Sequence, residues 1–562
     1  MLTREIIDEI KDAQNIYEEK LSEIVKKIPG AENGHTTSSG IRVKPLYTPA
    51  DIAQSNFKDD ISFPGQYPYT RGVFSAGHLA RSASIRQVTG TGTAEDTNKR
   101  WKYLLSHGVT ALAFVKDDGL GCRADSDDER VAGMVGKCGV VLDTLYDYET
   151  LFDGIDITRY PVHMIAGTAY ALASYLIIAE KRSIEYKTLR GSMSNFLRND
   201  NECLDIIEYC SKNVPLFNCG YLDMRNVREG GCTAAEEIAF GVSLAMAGSD
   251  VLIERGLKID DFLHRITWFV NASPDFFEEA AKFRAMRKVW AKIFKERYNA
   301  KKDRSLLCRM HCQTYAPTLT REQPFNNIIR STIYSMAAVM GGVQSLSVNS
   351  FDEALSIPTE FSALLSVRTQ QIIDLETNIS KVIDPLGGSY YVEALTDELE
   401  KKAMSIIDTI QSKGGAFNAW EWMCGRIRKA AQKTQKEIDA GISPLVGVNI
   451  HKLSAEDDLQ TKAMEILDKD PEFEGLYKYD ESIVDRQVER LNKVRKERND
   501  GKLKETMDEL LVTMKEGNNM IPDLIKAVKS GMTQAEFAGL RAIAYNQPGG
   551  GPYVCAPPSL LA

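Results

Sequence analysis

From about residue 46 to residue 410, short apolar runs alternate with longer stretches of helical period. Ala111-Leu-Ala-Phe-Val115, Val140-Val-Leu142 and Val251-Leu-Ile253 read as short buried strands, and Ala166 to Lys181 and Phe276 to Phe294 as helices. Strand following helix in regular succession over this length predicts a parallel α/β fold, a (β/α)8 TIM barrel. Residues 2 to 27 are charged and helical in period until Pro29-Gly30 and Asn33-Gly34 break the pattern. Residues 1–45 are therefore an N-terminal helical arm and 46–410 the barrel domain. After Gly414-Gly415 the segments Ala416 to Asp439, Ala455 to Lys469 and Ser482 to Arg498 are helical in pattern, with a last helical region ending near Asn546. These make residues 411–562 a helical C-terminal extension, whose tail Gln547-Pro-Gly-Gly-Gly-Pro552 reads as flexible.

Composition narrows the function classes. The chain has 562 residues, 43% hydrophobic and 26% charged, with a net charge of -9. Ordinary globular proportions and a negative charge argue against nucleic-acid or anionic-membrane partners, yet leave room for a local basic pocket holding a small phosphorylated ligand. No apolar run approaches the roughly 20 residues that span a bilayer, and the N-terminus starts an amphipathic helix, so a cytoplasmic location is expected. The ten cysteines show no disulfide or zinc cadence; even Cys308 and Cys312, which flank His311, fit no common metal spacing. No metal ligands are expected.

Candidate chemistry is concentrated between His311 and Glu353. His311-Cys-Gln313-Thr, Gln344-Ser345-Leu and Asn349-Ser-Phe-Asp-Glu353-Ala354 supply imidazole, amide and carboxylate groups suited to phosphate, amide and ribose atoms. Upstream, Arg81 and Arg86 lie five residues apart in a Gly-rich setting, and arginine forks suit phosphate.

With Tyr67-Pro-Tyr-Thr-Arg-Gly72, Ser84-Ile-Arg-Gln87, Asp125-Ser-Asp127, Arg130-Val-Ala-Gly133, Leu151-Phe-Asp-Gly-Ile155, Asn326-Asn-Ile-Ile-Arg330, Val382-Ile-Asp-Pro-Leu-Gly-Gly-Ser389 and Pro444-Leu-Val-Gly-Val-Asn449, the chain from about 60 to 450 resembles the methylmalonyl-CoA mutase family. The resemblance implies an adenosylcobalamin-dependent acyl-CoA mutase, an isomerase that moves a thioester-bearing carbon by radical chemistry. It carries coenzyme A contacts onto Arg81, Ser84, Arg86, Arg265, His311, Gln313, Gln344 and Ser345, and cofactor contacts onto Glu229, Asn349, Glu353 and the adjoining Ala354. The family's Asp-x-His-x-x-Gly cobalt-ligating motif is absent from the sequence. The resemblance therefore implies a separate small cobalamin-binding subunit and a hetero-oligomer, as in the two-component isobutyryl-CoA and 2-hydroxyisobutyryl-CoA mutases.

Departures from the family gather at the acyl end. Phe74 and Val88 replace tyrosines, Asn226 stands where a histidine lies beside the migrating thioester, and Ser194 stands where a glutamine is usual. Phe74, Val88 and Asp117 are expected to shape the acyl pocket, with Asn226 and Ser194 at the catalytic positions. The arginine that reads a malonyl carboxylate has no secure counterpart between Ser192 and Glu202, where Arg198 is nearby. Lys116-Asp117-Asp118-Gly119 puts charge near the site, so either the acyl group is polar or these residues pair with Arg225 and Arg228. A short branched or hydroxylated acyl-CoA is the expected substrate. The alternatives are an unusual polar or larger acyl-CoA, or a coenzyme A-binding barrel without isomerase activity.

Overall fold

The computed structural model describes residues 3–27, 35–117, 124–165, 167–193, 200–454, 456–469 and 475–546. One parallel sheet of nine strand segments wraps into a barrel. In chain order these are β1 (Ser84–Thr89), β2 (Ala111–Val115), β3 (Val162–Ile165), β4 (Gly191–Met193), β5 (Phe217–Asn218), β6 (Gly220–Asp223), β7 (Ile266–Ala272), β8 (Met310–Thr314) and β9 (Ser345–Ser347). β9 pairs with β1, as barrel closure requires. β5 pairs with β4 and β6 with β7, so the two segments, separated only by Cys219, share one strand position of an eightfold (β/α) barrel. Each position is followed by a helix packed outside, from Ala94–Ser106 after β1 to Glu360–Glu376 after β9.

Alternation along the strands sorts the residues into two sets. Trp268, Val270, Cys312 and Leu222 face the helices and join the main apolar core. Ser84, Arg86, Tyr221, Thr267, His311 and Ser345 face the axis and border a cavity. Barrel interiors are ordinarily filled by branched apolar side chains; a polar axis is the first structural sign of a ligand. Gly90 ends β1 with φ +122°, and a Cβ there would meet the Val115 carbonyl oxygen at 2.4 Å.

Two apolar runs differ from their expected form. Val251-Leu-Ile253 lies at the end of the helix Ala234–Glu254, and Val140 contributes only a single bridge to Lys116. A run of three apolar residues carries no period, and the Ala234–Glu254 helix is buried nearly all round, so helix and buried strand look alike there. The N-terminal helix Arg4–Val25 has no buried residue. The expected flexible tail falls outside the described residues.

The later helices return to the barrel. Gln487 Nε2 donates to Asp143 Oδ2 (3.0 Å) and Asp147 Oδ1 (3.1 Å), Arg490 pairs with Asp147 at 3.0 Å, and Arg495 pairs with Asp125 at 2.9 Å. Burial pushes Asp143 up to about 7, helped by Asp125 and Asp147, and pushes Asp125 up to about 6. Because the folded pKa of Asp143 lies above its ordinary value of 3.8, the folded state holds a proton that the unfolded chain releases. This contribution is fully present below about pH 4 and is lost as pH rises to about 7. Asp143→Asn is therefore expected to raise the melting temperature more at pH 8 than at pH 5; equal shifts at the two pH values would contradict this origin. Among the described residues no helix is long and apolar enough to cross a membrane.

Candidate functional site

A cavity of about 380 Å³ opens at the N-terminal face of the barrel. Its lining includes Arg81, Arg190, Arg265 and Arg309, with Ser84, Arg86 and His311 further in. Arg81 donates to Ser84 Oγ at 3.3 Å, and Gln344 braces the rim by accepting from Met310 N at 2.8 Å and donating to the Gly342 carbonyl at 2.7 Å. Positive field concentrates here on a chain of negative net charge. His264 is pushed down to about 3 by burial and by Arg265, Arg304, Arg309 and Lys302, and Arg309 is pushed down to about 10 by burial and Arg265. A cluster that depresses its own basic groups is arranged for an anion.

Two residues further along β1, about 7 Å deeper, the lumen narrows to a layer of rings. His163 and Tyr221 stand with centroids 4.5 Å apart, Tyr221 and Phe269 5.7 Å, and Phe269 and His311 4.8 Å. His163 Nδ1 contacts Ser192 Oγ at 2.7 Å and His311 Nδ1 contacts Ser345 Oγ at 2.5 Å. Burial, reinforced by Arg86, holds both imidazoles well below the usual histidine range, so both are neutral. Arg86 is half-buried, with its Nε shielded from solvent, and among the described residues it has no carboxylate partner; burial pushes its guanidinium down. Buried atoms without a hydrogen-bond partner among the described residues cluster in and around this layer: Arg86 Nε, Tyr221 Oη, Thr267 Oγ1, Asn271 Oδ1 and His311 Nε2. Orphaned polar atoms in adjacent positions mark the path of a polar ligand.

Beyond the rings, a second cavity of about 360 Å³ opens at the C-terminal face, lined by Val88, Gln313, Ser347, Asn349 and Glu353 among others. Gln313 Nε2 donates to Asn349 Oδ1, and Asn349 is fixed through its own N–H to Thr314 Oγ1 (2.8 Å) and through Nδ2 to the Thr314 carbonyl (2.7 Å). Glu353 stands at the mouth, where surrounding protein, then Asp352 and Glu229, push its carboxyl up to about 7. Ala354 follows it on the exposed side. Glu229 accepts from Asn271 Nδ2 at 3.1 Å and pairs with Arg225 at 3.2 Å, and burial pushes it up.

The structure brings Arg81, Ser84, Arg86, Arg265, His311, Gln344 and Ser345 around one cavity. Gln313 lies with Asn349 and Glu353 at the other. Phe74 and Val88 do not share a pocket: Phe74 is half exposed at the N-terminal face, and Val88 lines the C-terminal cavity. Asn226 donates its side-chain amide to Asp223 Oδ2 at 3.0 Å. Arg228 is taken up by Glu279 at 2.9 Å and by Ser273, and Arg225 stacks over Phe269 at 5.0 Å beside Glu229. These arginines thus pair with glutamates rather than with Asp117, whose Oδ2 accepts from the Gly136 N–H. Ser194 and Arg198 fall outside the described residues. His163 and Tyr221 were not evident as site residues from the sequence; the available signal was a histidine inside the apolar strand Val162–Ile165.

Comparison with known proteins accords with this geometry. The family model described as methylmalonyl-CoA mutase matches residues 36–545. The chain belongs to the methylmalonyl-CoA mutase family. It is 36% identical over 533 residues to the 2-hydroxyisobutanoyl-CoA mutase large subunit of Aquincola tertiaricarbonis, covering 91% of this chain and 92% of that protein. It is 35% identical to the methylmalonyl-CoA mutase of Cereibacter sphaeroides, over 89% of this chain and 71% of that one, and 33% identical to that of Escherichia coli, over 96% and 75%.

Proposed function

We propose that this chain is the large, substrate-binding subunit of an adenosylcobalamin-dependent acyl-CoA mutase, acting in the cytoplasm with a separate small cobalamin-binding subunit. Its substrate is a short branched or hydroxylated acyl-CoA. The observation that carries the reading is the polar barrel axis, which runs from an arginine-lined mouth, through a layer of orphaned polar atoms, to a second polar cavity at the other face. A ligand with a phosphorylated end, a long polar arm and a small reactive end fits that order.

In this arrangement Arg81, Arg265 and Gln344 hold the nucleotide end, and Arg86, His311 and Ser345 meet the arm. The acyl group reaches Val88 and Gln313. Asn349, Glu353 and Glu229 face the cofactor side, where their amide and carboxyl groups suit a ribose diol and ring amides. Adenosylcobalamin, when bound beside Asn349, Glu353 and Glu229, would supply the radical chemistry of the rearrangement. The chain's own residues orient the acyl-CoA and keep water from the reacting carbon; the ring layer of His163, Tyr221, Phe269 and His311 is the dry section.

Val88 gives the acyl pocket its width. Val88→Tyr is expected to shift preference among straight, branched and hydroxylated acyl groups while leaving affinity for free coenzyme A unchanged. Equal losses in kcat/KM for every acyl group would contradict that placement. A coenzyme A-binding barrel without isomerase activity is the second reading, favoured by the donation of the Asn226 amide to Asp223. Turnover with the small subunit and adenosylcobalamin separates the two.

A further inference from the structure

We infer that Tyr221 is a substrate-contacting residue whose hydroxyl donates a hydrogen bond to the carbonyl oxygen of the bound thioester. The inference rests on the acyl-CoA reading above and adds to it a residue of this chain's own.

Position comes first. Tyr221 and Asp223 lie two apart on β6 and so point to the same side of the strand. Asp223 engages Asn226, through the backbone N–H at 3.3 Å and the side-chain amide at 3.0 Å. Tyr221 thus stands one layer nearer the coenzyme A entrance than the Asp223 and Asn226 pair, and it borders the same cavity as Arg86, Ser192, Thr267 and His311. The arm enters from the arginine-lined mouth and the acyl group ends beside Val88, so the thioester falls at the level between them. That is the level of Tyr221.

Chemistry comes second. The phenol is buried to 1% exposure, and among the described residues its oxygen has no hydrogen-bond partner. Buried tyrosine hydroxyls usually find one, and leaving such a group unpaired costs free energy. Its ring packs against both His163 at 4.5 Å and Phe269 at 5.7 Å, which restricts the direction of the hydroxyl before any ligand arrives. Burial and Asp223 push the phenol well above its ordinary value, so the hydroxyl keeps its proton and is a donor throughout the working pH range. One hydrogen of the Asn226 amide is already given to Asp223. The thioester oxygen needs a donor, and among the described residues the Tyr221 hydroxyl is a donor without an acceptor.

The step is a hydrogen bond only. No bond to Tyr221 forms or breaks, and no electron leaves the ring.

The test uses the full-length chain and two ligands, isobutyryl-CoA and its thioether analogue in which the carbonyl is replaced by methylene. Calorimetry gives both affinities for the native protein and for Tyr221→Phe, which keeps the ring. The substitution is expected to weaken isobutyryl-CoA about tenfold and leave the thioether unchanged, the size of one lost hydrogen bond. With a carbon-13 carbonyl label, the bound thioester stretch is expected to lie at lower frequency in the native protein than in Tyr221→Phe. If Tyr221→Phe weakens both ligands equally, or keeps the native ratio and the native carbonyl frequency, Tyr221 does not read the carbonyl and the inference is overturned. If the native protein binds neither ligand, the acyl-CoA reading itself fails.

Discussion

Lys282→Met is expected to destabilise the barrel by about 3–5 kcal/mol, the usual cost of removing one partner from a buried ion cluster. Lys282 is completely buried, and its ammonium reaches Glu237 at 2.7 Å, Glu279 at 2.5 Å and the Asn271 carbonyl at 2.7 Å. Arg228 is the other cation of the cluster, 2.9 Å from Glu279 and 3.7 Å from Glu237. Without Lys282, two glutamates remain in a dry interior with one guanidinium between them. Because Lys282 also holds the backbone of Asn271, whose amide contacts Glu229, the loss should loosen the C-terminal cavity as well. The denaturation midpoint measures it, and adding Glu237→Gln is expected to recover part of the loss by removing one uncompensated charge. A midpoint within error of the native value would contradict the account of this cluster.

Arg86→Met is expected to act in opposite directions on stability and on binding. The protein holds this guanidinium half-buried, with no carboxylate partner among the described residues and with a buried Nε that is unbonded among them. An apolar side chain of similar reach removes that desolvation, so the melting temperature should rise. The same change should weaken acyl-CoA binding about a hundredfold and raise KM for every acyl group alike, since the lost contact is with the part that all substrates share. A variant that is less stable and binds normally would show Arg86 to be a structural residue.

The barrel was legible because its period is strong. β2 was evident as Ala111–Val115, and the helix Phe276–Glu296 begins at the residue its apolar pattern indicates. The group that lines the first cavity was legible because its residues sit in short motifs at strand starts, where chain order and spatial order coincide. The layer through the middle of the lumen was not. His163, Tyr221 and Phe269 come from three strands far apart in the chain, and only closure of the barrel brings their rings together. Arg225 and Arg228 look equivalent in sequence, yet one stacks over Phe269 at the axis and the other is taken into the Glu279 cluster. Helical phase and tertiary packing decide that difference. Phe74 and Val88 were expected in one pocket because both replace tyrosines, but they lie at different ends of the axis.

The central claim is that the barrel turns over an acyl-CoA. The most direct measurement is anaerobic incubation of the chain with the proposed small cobalamin-binding subunit, adenosylcobalamin and a panel of branched, hydroxylated and dicarboxylic acyl-CoAs, with isomers resolved by chromatography and mass spectrometry. Isomerised thioester from a branched or hydroxylated member of the panel, and none from methylmalonyl-CoA, is the predicted result. No isomer from any member, with acyl-CoA and cobalamin both shown to be bound, would contradict it and leave a coenzyme A-binding barrel without mutase activity.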